Sequence, residues 1–148
     1  AEIIKAWRSI YTTSSSDDDK TSSQFWAAYD PIATSIWTMV YDEADSNESL
    51  EETMDIVSNY MNQDGMKSIK HECFGVIHVL DSLEIEGLWL FRGPDPERMF
   101  GANEESSWYT WSRLGPEATD PVKEAVAKVL LPKYGKLKDK TIKGTKVF

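Results

Sequence analysis

The amino-acid sequence predicts an α+β fold, a single domain whose antiparallel sheet of four or five strands is flanked by helices. Three observations predict it. A glycine-bounded apolar run, Gly87-Leu88-Trp89-Leu90-Phe91-Arg92-Gly93, reads as a central strand. A second run, Ser107-Trp108-Tyr109-Thr110-Trp111-Ser112-Arg113-Leu114, mixes aromatic and small polar residues as a half-covered strand does. The link between them opens on Pro94-Asp95-Pro96-Glu97 and is too short for a helical crossover, so the two runs are expected as antiparallel neighbours. Third, apolar residues recur at helical spacing in segments on both sides of these runs. A domain of 148 residues buries about 70% of its extended surface and needs no staple.

Taken in order, Ile3, Ile4, Trp7, Ile10 and Tyr11 form the stripe of a first amphipathic helix. Residues 12–23 offer nothing to bury and are expected as a mobile polar loop; within it Ser14, Ser15 and Ser16 each precede an Asp by three residues, the spacing an acid-directed kinase uses. Ser22 or Ser23 can cap a brief helix that Asp30-Pro31 ends. Residues 36–41 alternate as a strand. Ser49-Leu50-Glu51-Glu52 matches a capping box, opening a helix with Leu50, Met54, Val57 and Met61 on one face and faltering near Asp64-Gly65. Residues 72–80 are apolar on both parities, a second central strand. Asp120 and Pro121 suit the cap and first position of a last helix carrying Val122, Ala125, Val126, Val129 and Leu130 inward, which Pro132 stops. The lysine-rich remainder, about 133–146, is expected as a basic tail anchored by Val147-Phe148.

Charge narrows the function classes. The net charge of −9 divides into −15 over residues 1–120 and +6 over residues 121–148. An acidic body repels phosphate backbones, so nucleic-acid binding falls to the tail alone. No apolar run approaches the roughly 20 residues a membrane helix needs. With Cys73 as its one cysteine the chain forms no internal disulfide, which fits a reducing, cytoplasmic compartment. The opening Ala1-Glu2-Ile3-Ile4-Lys5 has neither a signal-peptide pattern nor an initiator Met, and the chain is expected to be a fragment.

Catalytic chemistry finds little support. Cys73 lies inside an apolar strand, where burial raises a thiol's pKa. His71 and Cys73 share a strand parity and His78 takes the other, so one ladder cannot gather them around a metal. No Walker-type glycine loop is present, and no cofactor is expected. The six tryptophans offer more, because rings beside Arg92 and Arg113 can receive a planar ligand or a peptide; the competing reading is structural, with Trp89 and Trp111 filling the space beneath helices. The candidate partner-binding surface is Trp89, Arg92, Trp108, Tyr109, Trp111 and Arg113; Arg92 is expected to meet Asp42, Glu43 or Asp95. The candidate basic tail is Lys133, Lys136, Lys138, Lys140, Lys143 and Lys146.

The two tryptophan blocks, 87–93 and 108–114, together with Phe25-Trp26, Ser35-Ile36-Trp37, Cys73-Phe74-Gly75-Val76-Ile77 and Gly144-Thr145-Lys146-Val147-Phe148, resemble the C-terminal domain of the gamma subunit of eukaryotic translation elongation factor 1. The resemblance implies a cytoplasmic, non-catalytic scaffold or interaction domain of the complex that reloads the aminoacyl-tRNA carrier with GTP. It also implies that the other subunits dock mainly through a preceding N-terminal domain absent from these residues. The alternative is an RNA-binding accessory module using the lysine tail. An enzyme with an aromatic-walled acidic cleft is the third reading, and the expectation is that the chain is not one.

Overall fold

A computed structural model describes residues 2–14 and 16–148, so Ser15 of the serine run lies outside the described residues. Six strands form one sheet: β1 (Thr34–Tyr41), β2 (Cys73–Leu80), β3 (Ile85–Arg92), β4 (Tyr109–Leu114), β5 (Lys136–Leu137) and β6 (Lys140–Val147). Their order is β4-β1-β3-β2-β6-β5, with every neighbouring pair antiparallel. The α+β class stands, whereas the strand count of four or five is corrected to six because the lysine segment folds into β5 and β6.

Strands β2 and β3 are buried along almost their whole length, as their continuous apolar runs require. Such strands need partners on both edges, and β3 takes β1 and β2. The expected adjacency of the two tryptophan blocks is therefore wrong. Strand β1 lies between them, pairing Trp37 with Trp89 on one side and with Arg113 on the other. Half of β4 is solvated, which suits the sheet's edge. The link steps over β1 through α4 (Glu97–Ala102) and a 3-10 turn (Glu104–Trp108), so Ser107 and Trp108 precede the strand.

Helices cover both faces. On one face lie α1 (Glu2–Thr12), α2 (Asp18–Ala27) and α5 (Asp120–Leu130), whose Ile4, Trp7, Phe25, Val126, Val129 and Leu130 meet the even-numbered residues of β1, β2 and β3. On the other, α3 (Leu50–Met61) and α4 bring Val57, Tyr60 and Met99 to the odd-numbered ones. Helix α2 corrects the expected loop at 12–23. Asp17 caps it, accepting from the Lys20 N–H at 3.1 Å, and Asp18 and Asp19 fill the acid-favouring first turn. The cap is five residues earlier than Ser22.

The capping box at Ser49 forms, with its hydroxyl accepting from the Glu52 N–H at 3.1 Å. The glutamate reaches back to the Glu48 N–H at 3.0 Å instead of to Ser49. The stripe of α3 is rotated from the expected one: Thr53, Val57 and Tyr60 are buried while Leu50 is exposed. Thr119, one residue before Asp120, caps α5. Among the described residues no helix is long and apolar enough to cross a membrane.

Candidate interaction surface

Trp89 sits at the centre of the sheet face under α3 and is fully buried. Its ring stacks on Phe91 at 6.0 Å and 14°, and meets Tyr60, Trp111 and Phe148 at 6.3, 6.4 and 5.8 Å. The indole N–H donates to Met39 Sδ at 3.2 Å. Room for the ring comes from Gly75, directly opposite on β2, where a Cβ would lie 2.3 Å from the indole. Trp89 therefore cannot touch a partner, and Tyr109, 5% exposed beneath Tyr60, cannot either. Both belong to the core, which corrects their expected place on the surface.

Four of the six predicted residues reach solvent. Trp108 is 46% exposed in the turn just before β4, and Trp111 is half-buried, its indole donating to the Ser106 carbonyl at 3.0 Å. Phe100 of α4 stands edge-on to Trp111 at 5.6 Å and is itself exposed. Arg113 closes the row beside Trp37. Arg92 is exposed at the end of β3, but its carboxylate is Glu72, not Asp42, Glu43 or Asp95. Glu72 Oε1 lies 3.8 Å from the Arg92 guanidinium and Oε2 lies 2.7 Å from that of Arg98. Phe100, Trp111 and Arg113 thus mark the rim of the aromatic face, with the exposed Trp108 just ahead of β4 and with Arg92 and Arg98 sharing Glu72. Sequence reasoning missed Phe100 and Trp37. Trp37 shares the parity of Met39 on β1, a signal present in the sequence; Phe100 required knowledge of where α4 lands.

The basic segment is not a tail. Strand β6 pairs with β2 and ends on Phe148, whose ring is buried against Trp89. Lys138 is paired with Glu86 and Lys140 with Glu84. Lys140 lifts the side chain of Glu84 out of ordinary behaviour, holding its carboxyl below the usual carboxylate range through that hydrogen bond. Lys133, Lys136 and Lys143 are exposed and Lys146 is half-buried on β6. The six lysines therefore do not present one continuous basic strip.

The chain's cysteine and its buried histidine are both engaged in packing. Burial pushes the Cys73 thiol up to about 12, with the nearby Arg8 guanidinium only partly offsetting it. That guanidinium is itself occupied, donating to the carbonyls of Cys73 at 2.8 Å, Lys70 at 3.0 Å and Phe148 at 3.3 Å. His78 Nε2 lies 2.6 Å from the Val129 carbonyl, which can only accept, so Nε2 carries the proton. Nδ1 is 2.8 Å from Thr145 Oγ1. Burial holds this imidazole below its ordinary pKa, against opposing pulls from the Val129 carbonyl and Glu86. His71 lies exposed in the turn before β2, and among the described residues no group of three or more His, Cys, Asp or Glu could hold a metal ion.

A protein-family model described as elongation factor 1 gamma, conserved domain, matches residues 2–95. Elongation factor 1-gamma 2 and elongation factor 1-gamma 3 of Oryza sativa subsp. japonica are each similar to this chain, 27% identical over 117 residues that cover 76% of it and 28% of the relative. Elongation factor 1-gamma of Prunus avium is 25% identical over 117 residues, 76% of this chain and 27% of the relative. The chain thus spans only a little over a quarter of the length of these curated relatives.

Proposed function

The chain belongs to the elongation factor 1 gamma family, and from that premise we propose that it serves translation elongation in the cytosol as a non-catalytic scaffold domain. In this reading the domain is part of the guanine-nucleotide-exchange complex, and the complex's other subunits are its partners. The observation that carries it is the division of the aromatic face. Trp89, Phe91, Tyr60 and Tyr109 lock the sheet from inside, while Phe100, Trp108, Trp111 and Arg113 stand at its outer edge. A rigid floor with an aromatic and arginine rim is what a protein contact uses, because aromatic and Arg side chains are enriched at interfaces and the rings bring large contact area with few rotatable bonds. Cys73 and His78 lend no chemistry, since burial holds the thiol protonated and both imidazole nitrogens have partners.

Reconstitution tests the reading. The full-length protein, mixed with purified elongation factor 1 subunits, is expected to lose affinity when Trp108 and Arg113 are both replaced by Ser, with nucleotide exchange by the other subunits still running in its absence. Unchanged affinity would remove the rim from the interface. Exchange or hydrolysis catalysed by these residues alone would sink the scaffold assignment.

A further inference from the structure

We propose that the groove between the end of α5 and the β5–β6 hairpin is a docking site for an acidic peptide segment bearing one large apolar side chain. The inference rests on the reading of the domain as an interaction module, but it names a different surface from the aromatic rim. The cavity measures about 570 Å³, inside the roughly 300–1,000 Å³ span of ligand clefts. Its apolar lining comes from Ala127 and Leu131 at the end of α5 and from Leu137 of β5. Tyr134 stands over it, 94% exposed.

Three features at this place point to an occupant. The first is charge. Lys128, Lys133 and Lys136 line the groove and take part in none of the ion pairs found among the described residues, whereas Lys138 is held by Glu86. A net-positive groove on a chain of net charge −9 is complementary to a carboxylate-rich partner. The second is the backbone. Tyr134, Lys138 and Asp139 have φ of 58°, 54° and 62°, three of the four positive-φ non-glycine residues described, and all three line this groove. At Lys138 and Asp139 this is the conformation that a two-residue turn between β5 and β6 requires, so the hairpin wall of the groove is pre-formed, and Tyr134 alone holds a left-handed backbone without such a turn. The third is the exposed ring of Tyr134. Tyrosine brings large contact area with few rotatable bonds, so its covering by a partner is entropically cheap.

A peptide fits these features better than a nucleic acid. The wall includes Glu124 and Asp139, which repel a phosphate backbone passing along it. A peptide can set its carboxylates against the lysines and its apolar side chain against Leu131 and Leu137, keeping clear of both. The groove has the polar rim and apolar floor of a single-anchor site.

The probe is a fluorescein-labelled peptide Glu-Asp-Leu-Phe-Asp-Glu, titrated into the 148-residue chain at low salt with fluorescence polarisation as readout. Saturable binding is expected to weaken about tenfold or more in the double variant Lys133→Glu with Lys136→Glu, and about fivefold in Tyr134→Ala. Replacing the peptide's Phe by Ala, at constant charge, is expected to weaken it comparably. Lys20→Glu, on α2, removes the same kind of charge elsewhere and is expected to change nothing; circular dichroism confirms that each variant is folded. Equal binding of the Phe and Ala peptides overturns the proposal, as do an equal effect of Lys20→Glu, no saturable binding, or tighter binding of a labelled oligouridylate that depends on the same lysines. Subunit reconstitution reads the aromatic rim instead, so either surface can fail without the other.

Discussion

The two faces of the sheet are built from alternate residues of the same strands, yet they are packed by opposite strategies. Under α1, α2 and α5 the strands present mainly branched aliphatic side chains, Ile36, Val76, Leu80, Leu88 and Leu90, with Phe74 as the ring that β2 adds, and the large rings Trp7 and Phe25 come down from the helices. Under α3 and α4 the rings belong to the sheet itself, Trp89, Phe91 and Tyr109, and the helices add Val57, Tyr60 and Met99. Glycine follows the rings. Gly75 makes space for Trp89, and at Gly144 a Cβ would lie 2.3 Å from Met54 Sδ of α3. A pleated surface that carries an indole at its centre must give up a neighbouring side chain, whereas a surface of Leu and Val fills evenly. The aromatic face is consequently expected to be the less tolerant of added volume.

Adjacent positions on β3 measure that difference directly. Trp89→Ala is expected to lower the unfolding free energy by about 4 to 5 kcal/mol and Leu88→Ala by about 3 kcal/mol, both read by urea denaturation. Equal losses would mean that the indole contributes only area, and the distinction between the faces would break. The glycine gives a finer test. Gly75→Ala places a methyl against the buried ring and is expected to cost about 2 to 3 kcal/mol. In a Trp89→Leu background the same change should cost less than about 1 kcal/mol, because the atoms it collides with are gone. An unreduced penalty would assign the cost to the strand backbone and not to the ring.

The faces also differ in what they do with protons. The aromatic face holds Cys73, Tyr60 and Tyr109, all pushed above their ordinary pKa by burial, so they stay neutral through the physiological range. The aliphatic face holds His78, hydrogen-bonded between Val129 and Thr145 and paired across the ladder with Glu86, which in turn meets Lys138. His78 is shifted down by burial, so below the ordinary value near 6.5 the unfolded chain takes up a proton that the folded chain refuses. Stability from this site is complete above that value and declines as pH falls toward the folded one, by up to about 1.4 kcal/mol for each pH unit in the window. His78→Gln should flatten the slope between about pH 7 and pH 5 in denaturation series, while Cys73→Ser should leave the slope as it is. A slope that survived His78→Gln would place the titrating group elsewhere.

Much of this arrangement was legible in the sequence, and the exceptions have physical causes. Strands β2 and β3 announced themselves because both of their parities are apolar, and α1 because five apolar residues fall on one stripe. The second half of α2 was read as a brief helix, but its first turns were hidden since their buried side is only Thr21, so the signal there lay in the Asp17 cap instead of in any apolar period. The order β4-β1-β3 could not be read, because alternation fixes which way a side chain faces and says nothing of which strand lies alongside. Lysine content obscured β6: a register shift opposite Val79 and Leu80 sends Ile142 to the face of α5 and Gly144 to Met54 of α3, so no single apolar face runs along the strand. The candidate surface was legible by residue type but not by exposure. Trp89 and Trp108 look alike in the sequence, and only the covering by α3 separates them.

That separation sets the smallest expected effect. Trp108 stands on the 3-10 turn ahead of β4, 46% exposed, and makes no ring contact with the Trp89 cluster, whereas Trp111, three residues on, touches Trp89, Phe91 and Phe100. Trp108→Ser is therefore expected to change the unfolding free energy by about 1 kcal/mol or less, and Trp111→Ser by about twice that or more. The comparison sharpens if Trp108→Ser leaves stability in place and still weakens reconstitution with elongation factor subunits, because a ring whose removal the fold ignores is free to be covered by something else. If instead Trp108→Ser destabilises as much as Trp111→Ser, the rim is an extension of the core, and its exposed aromatic area is the unavoidable edge of a face built from rings.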